Sequence, residues 1–255
     1  MLANRAQANR EVVVEVFRTH NASAMLNDTK RMDEFGKQFG IGFTKPPWHV
    51  YEFWANIKAA KKEGPEEFAK LAEAVLRNDM GGVINIHVNG KPAAFSVVCG
   101  MAMFTEPAAA MQQGRMVASE DIGDIVKILA KYEKIVSSRG HQLGNVGYIA
   151  DVVVGERFRG IGLGNVLIKE SVTVTNENGN TAVMGWTVNP IMGHIFKTLD
   201  FHKAAGVGST GKGIDFAVDE KTGLIIPTVS MPGEDYGKVV AQHYLRDNTT
   251  AAKRE

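Results

Sequence analysis

The sequence predicts a mixed α/β (α+β) fold, and three observations carry that prediction. Apolar, β-rich runs alternate with helical stretches across residues 140–205. Two β-rich runs flank Asn89-Gly90 ahead of that region, a hairpin signal that rules out a pure βαβ array. Three glycines then crowd into Gly160–Gly164, directly between an apolar strand and a helix.

Taken in order, "EVVVEVF" (Glu11 to Phe17) reads as a first strand. Residues 21–46 carry no decisive pattern. "PWHVYEFWANIKAAKKEG" reads as a helix opened by Pro47 and closed by Gly64, and a second helix starts at Pro65. In that second helix Phe68, Leu71, Ala72, Val75 and Leu76 form a stripe at helical spacing. The hairpin "GVINIHVNGKPAAFSVVCGM" comes next. A helix over about 118–138 follows, with Ser119 as N-cap and Gly140 as its stop. "NVGYIADVVVG" is a strand, and "GIGLGNVLIKESVTVTNENG" is a helix launched from the glycines. "TAVMGWTV" is a strand, "PIMGHIFKTLD" a short helix and "FHKAAGV" a strand. "GIDFAVD" and "GLIIPTV" are further strands, and from Arg246 the chain reads as a polar surface tail.

Composition narrows the classes of function. The 255 residues are 44% hydrophobic and 22% charged, enough for a real core. Lys plus Arg number 29 against 28 Asp plus Glu, a net charge of +1. That balance gives no general pull towards nucleic acid or an anionic membrane. A single cysteine, Cys99, permits no internal disulfide and fits a reducing compartment; within "FSVVCGM" it reads as a small buried filler. No apolar run approaches the length of a spanning helix, and the first ten residues lack the apolar centre of a secretory signal. The expectation is a soluble, cytoplasmic protein, monomer or homodimer. No histidine pair has ligand spacing, so no metal site is expected.

The glycine stretch "VVVGERFRGIGLGN" (Val152 to Asn165) is where chemistry concentrates. Bare backbone lets an anionic ligand reach N–H groups. A helix starting there leaves its first N–H groups unpaired at the positive end of its dipole. Phosphate is the usual tenant of such a site, and Arg159 adds a charge-assisted contact. A dinucleotide fingerprint fails, because the sixth residue from Gly160 is Asn165 and from Gly162 is Leu167. A Walker loop fails too, since Lys169 lies too far on and Glu170 follows it. What fits is R-x-x-G-x-G: Arg159, Gly162, Gly164.

"RGIGLG" after an apolar strand resembles the coenzyme A loop of the GNAT superfamily of N-acetyltransferases. A second block, "WTVNPIMGHIFKTLDF", lies about 25 residues on and is similar to that family's strand, asparagine, short helix and Gly-Phe pair, with Asn189 and Phe201 in place. The resemblance spans about 146–203 in detail and 80–230 as topology. It implies the GNAT fold: a central mixed, largely antiparallel sheet, split between its fourth and fifth strands, with helices on both faces. The domain organisation expected is an N-terminal strand and helical segment on the acceptor side (1–80), the acyltransferase domain (81–245) and the tail (246–255).

The resemblance also implies acetyl-CoA as cofactor and an amine as acceptor, joined in a ternary complex; the near-neutral charge favours a small-molecule amine over a strongly cationic protein tail. The loop Arg159, Gly160, Ile161, Gly162, Leu163, Gly164 would hold the pyrophosphate. Backbone at Val152, Val153 and Val154 would pair with the pantetheine. Asn189 would reach the cofactor from the other side of the split, and Phe196 would flank the thioester end. Two departures stand out: Phe196 takes the position of a family tyrosine that protonates the leaving thiolate, and Asp200 replaces the glycine of the Gly-Phe pair. A catalytically inactive acyl-CoA-binding protein is therefore the rival reading.

An amine of pKa about 10.4 is almost wholly protonated at neutral pH, so a base is needed. Tyr148 holds the position of a commonly used family base. Asp151 is a carboxylate inside an apolar strand, costly to bury unpaired. Plain alternation would put Asp151 on the face opposite Tyr148, and a bulge would re-aim it. Asp151 ranks first and Tyr148 second.

Overall fold

The computed structural model describes residues 10–43, 57–77, 81–116, 122–187, 189–204, 213–218, 225–230 and 242–248. Strand β1 (Val12–Phe17) is followed by α1 (Ala22–Leu26), α2 (Thr29–Phe43) and α3 (Ile57–Leu76). The hairpin β2 (Gly82–Val88) and β3 (Lys91–Gly100) leads into α4 (Ala102–Gln112) and α5 (Ile122–Ser137). Then come β4 (Val146–Val154), α6 (Leu163–Glu177), β5 (Ala182–Thr187), α7 (Pro190–Thr198) and β6 (His202–Lys203). Strands β7 (Gly213–Val218), β8 (Ile225–Ser230) and β9 (Gln242–Asp247) complete the chain.

Seven strands form one sheet in the order β1-β2-β3-β4-β5-β9-β6. Every pair in it is antiparallel except β4–β5. The hairpin turn is as expected: Asn89 (φ 51°) and Gly90 (φ 70°) both take the left-handed conformation that a two-residue turn of this kind requires. Helices α1 to α5 cover one face, through Phe35, Phe39, Phe68, Phe104, Ile125 and Tyr132. Helices α6 and α7 cover the other, through Leu163, Leu167, Ile168, Val174, Ile195 and Phe196. Phe68 meets Phe95 of the central sheet at 4.9 Å, so the N-terminal helices share this core. Among the described residues no helix is long and apolar enough to cross a membrane.

Two expectations are corrected and two features are added. Gly64-Pro65 does not separate two helices: α3 runs through Pro65. Proline clashes with the Cβ of the residue before it, and Gly64 has none. The absent Cβ also lets α2 close in, since one added at Gly64 would lie 2.4 Å from the Gly36 carbonyl oxygen. Helix α4, with Pro107 inside it, covers a stretch for which the sequence predicts no element. Strands β7 and β8 pair with each other in a separate ribbon rather than joining the main sheet. Arg246 and Asp247 are not tail: they end β9, inserted between β5 and β6, with Arg246 opposite Val183. Pro47, Trp48, Ser119, residues 205–207 and residues 249–255 lie outside the described residues.

Asn85 of β2 is fully buried between its cross-strand neighbours Glu15 and Phe95. Neither polar atom of its amide has a hydrogen-bond partner among the described residues. Such groups cost about 1–3 kcal/mol each, and replacing them by apolar volume removes the cost. Asn85→Leu is expected to raise the thermal midpoint by several degrees. A lowered midpoint would show that the amide is satisfied in solution.

Candidate active site

The parallel β4–β5 ladder runs from Val146↔Ala182 to Ile149↔Gly185 and ends there. Beyond that point β4 continues to Val154 and β5 to Thr187, and a cleft of about 620 Å³ opens between them. Its apex is an aromatic wedge. A Cβ on Gly185 would stand 2.9 Å from Cζ of Phe196, so the ring lies directly over the strand backbone where the ladder ends. Phe196 in turn packs on Phe201 at 4.9 Å and stacks on Tyr244 at 5.0 Å. Tyr244 gives its hydroxyl to Gln242 Oε1 at 2.8 Å.

One end of the cleft is the glycine loop. Gly160 (φ 77°) and Gly162 (φ 91°) are left-handed, and Gly162 is the N-cap of α6. A Cβ at either would meet nothing within 4 Å, so glycine is required by backbone conformation and not by crowding. Arg159 Nε donates to the Val154 carbonyl at 3.3 Å, tying the arginine to the strand end. The other wall begins at Asn189. Its N–H donates to Thr187 Oγ1 at 2.9 Å, and its Oδ1 accepts the Ile191 N–H at 2.9 Å, capping α7. Asp200, which takes the place of a glycine, has φ 62°, a conformation that Asp tolerates better than most residues. The turn is thereby retained.

Strand β4 carries the bulge that would re-aim Asp151. Val98 faces Ile149 but Val97 faces Asp151, so one residue of β4 is extra. Tyr148 lies opposite Cys99 and Asp151 opposite Val97, and both Cys99 and Val97 belong to the α1–α5 face. Asp151 therefore shares a face with Tyr148. It is 8% exposed and lines the cleft.

Of the residues expected at the site, Asp151, Val152, Val153, Val154, Arg159, Gly160, Gly162, Leu163, Gly164, Asn189 and Phe196 line this one cleft. Two do not. Ile161 packs its side chain against the core of the α6–α7 face. Tyr148 is buried and donates its hydroxyl to the Ile214 carbonyl at 2.6 Å, which holds it beside the cleft and not in it. Trp186, Ile214 and His194 line the cleft as well. His194 sits in a short helix whose sequence pattern does not mark it for the cleft. Trp186 sat inside the quoted strand without being singled out, and Ile214 lies in a strand whose packing partners no local pattern reveals.

Behind Trp186 lies a buried polar pair. Tyr132 Oη and His243 Nδ1 share a hydrogen bond of 3.0 Å, and His243 is 1% exposed. Burial, helped by the Lys131 charge, pushes the imidazole from 6.5 down to about 4. A base whose pKa is lower when folded binds more protons when unfolded between those two values. Its contribution to stability is complete above pH 6.5 and is lost as pH falls towards 4. Between pH 7 and 5.5 the loss is about 1 kcal/mol. His243→Gln is expected to remove that difference in urea titrations at the two pH values. An unchanged difference would show that another group titrates.

At the level of sequence, no family model and no curated protein matches this chain. Solved structures do. The mosquito protein arylalkylamine N-acetyltransferase-like 5b aligns over 93% of this chain and 100% of its own, at 15% identity and a TM-score of 0.52. A polyamine N-acetyltransferase of Drosophila melanogaster aligns over 93% and 100%, at 14% identity and a TM-score of 0.50. An agmatine N-acetyltransferase aligns over 93% and 100%, at 12% identity and a TM-score of 0.50. The chain has the fold of the GNAT N-acetyltransferases. At these identities the likeness is one of fold.

Proposed function

We propose that the protein is an N-acyltransferase that moves an acetyl group from acetyl-CoA to a small amine, by direct attack in a ternary complex. The observation that carries this reading is the parting of β4 from β5 at Ile149 and Gly185, with a helix N-terminus and two left-handed glycines at one end of the gap. The residues fit the cofactor. The first N–H groups of α6, Gly160 and Gly162 would take the pyrophosphate, with Arg159 beside them. The edge of β4 from Val152 to Val154 would pair with the pantetheine amides. Asn189, its oxygen engaged in the cap, would offer its amide NH₂ from the facing wall. Bound acetyl-CoA supplies the activated acyl group. Asp151 would take the proton from the incoming ammonium, since it lies in the cleft on the face opposite α6 and α7. Neutral overall charge favours a small amine over a strongly cationic protein tail.

A second reading, an acyl-CoA-binding protein without turnover, is favoured by Phe196. Its buried ring offers no hydroxyl at the apex of the cleft. Thermal melts with CoA, acetyl-CoA and NAD, followed by thiol release in the presence of amines, test both. A ligand at about 100 times its dissociation constant adds about 2.7 kcal/mol, a shift of about 5–10 °C for a chain of this size. A shift with both CoA species but not NAD, with amine-dependent thiol release, is expected. A shift without release in any amine supports the second reading. No shift with either CoA species overturns both.

A further inference from the structure

Trp186 is held more firmly than a cleft-lining side chain needs for packing alone. Its Nε1 donates to the Ile214 carbonyl at 3.1 Å, the same oxygen that accepts the Tyr148 hydroxyl. One ring face stacks on His243, with centroids 6.2 Å apart and planes 25° from parallel. His243 is itself fixed by Tyr132. The indole is thus pinned at its edge and backed on one face, while it remains part of the cleft wall. In the β4–β5 ladder Tyr148 faces Met184, two residues before Trp186, so Trp186 lies on the same sheet face as Tyr148 and Asp151. A carboxylate and a rigid aromatic surface therefore border one half of the cleft, across the sheet from the glycine loop.

We infer that Trp186 is the specificity-determining residue for the acceptor, selecting primary amines that carry a flat apolar group. The ammonium would be received at Asp151 and the flat group would lie on the indole. A rigid aromatic surface favours a flat partner over a puckered one of equal size, because only the flat one makes contact over its whole face. A short alkylamine leaves that surface uncovered. An alkyl diamine likewise has no flat face to lay against the wall that includes Trp186 and Ile214.

This inference rests on the proposed acetyl transfer for its acceptor, but it is tested by binding. Calorimetry in saturating CoA would compare phenethylamine, 2-cyclohexylethylamine, ethylamine and 1,4-diaminobutane, on wild type, Trp186→Phe and Trp186→Leu. Wild type is expected to bind phenethylamine about tenfold more tightly than 2-cyclohexylethylamine, and more tightly still than the other two. Trp186→Phe keeps an aromatic face and should preserve most of the phenethylamine-to-cyclohexylethylamine ratio. Trp186→Leu should bring it close to one. A wild-type ratio near one overturns the inference, and needs no variant to fold. A ratio unchanged in Trp186→Leu, or lost equally in Trp186→Phe, also overturns it. Parallel thiol-release assays separate the two readings. Trp186-dependent binding without acetyl transfer leaves the selectivity standing and removes the transferase. Transfer to amines without that dependence does the reverse.

Discussion

Gly162→Val is expected to abolish the rise in melting temperature caused by CoA, with affinity falling at least about a hundredfold. The variant places a β-branched residue at φ 91°, in a region where such residues are genuine outliers. An added Cβ meets no neighbour within 4 Å, so the cost falls on the backbone, and rotating the loop out of its left-handed turn would relieve it. That rotation would swing the N–H groups of the first α6 turn away from the pyrophosphate. The strain itself costs about 1–3 kcal/mol of stability. Gly179 supplies the control. It lies just beyond the other end of the same helix with φ 79° and equally open surroundings. Gly179→Val carries the same backbone cost far from the cleft and should melt lower while keeping its full CoA shift. If Gly162→Val and Gly179→Val keep equal shifts, the pyrophosphate does not sit on this loop.

Asp151→Asn is expected to lower kcat/KM for the preferred amine by about 10²–10³ at pH 7, within the usual worth of a positioned base. The CoA-induced melting shift should stay at the wild-type value, because the substitution is nearly isosteric and leaves the glycine loop untouched. The pH profile is the sharper readout. Without a base, the rate follows the free-base fraction of the amine and rises about tenfold per unit between pH 7 and 9. Wild type should rise less steeply and level off earlier. Full turnover in Asp151→Asn across that range would remove the aspartate from the reaction.

Much of the molecule was legible because local rules governed it. Asn89-Gly90 announced its hairpin because few other pairs accept two left-handed residues in succession. The glycine loop was legible for the same reason, and the stripe through Phe68 and Val75 was legible because one helix face is buried. Tertiary context decided the rest. Gly64-Pro65 reads as a break until α2 is seen pressed against it. Strand β9 carries no strand signal, since "QHYLRD" offers few apolar residues, and its last two residues, Arg246 and Asp247, look like the start of a polar tail. Yet its His243 and Leu245 lie on one buried face and its Tyr244 on the other. At the site, Asp151 and Tyr148 could be nominated from sequence, but their shared face depends on a bulge set by pairing with β3. The hydroxyl of Tyr148 is drawn off by Ile214, a carbonyl 66 positions away, which no pattern could foretell. Trp186 escaped notice because its distinction lies in what stands behind it.

The place of β9 bears on how the protein is made. One wall of the cleft is β5, and β5 completes its hydrogen bonding with β9, from Ala182↔Asp247 to Thr187↔Gln242. On a ribosome, β1 to β5 emerge first and can begin to pair, but the strand that stiffens the far wall is among the last of the described segments to be synthesised. Until then β5 is an open edge with an apolar face, the kind of template that recruits foreign strands. Ligand-binding competence should therefore arrive late and abruptly during synthesis. Nascent chains stalled short of Gln242 should be the aggregation-prone species in a population that otherwise folds cleanly.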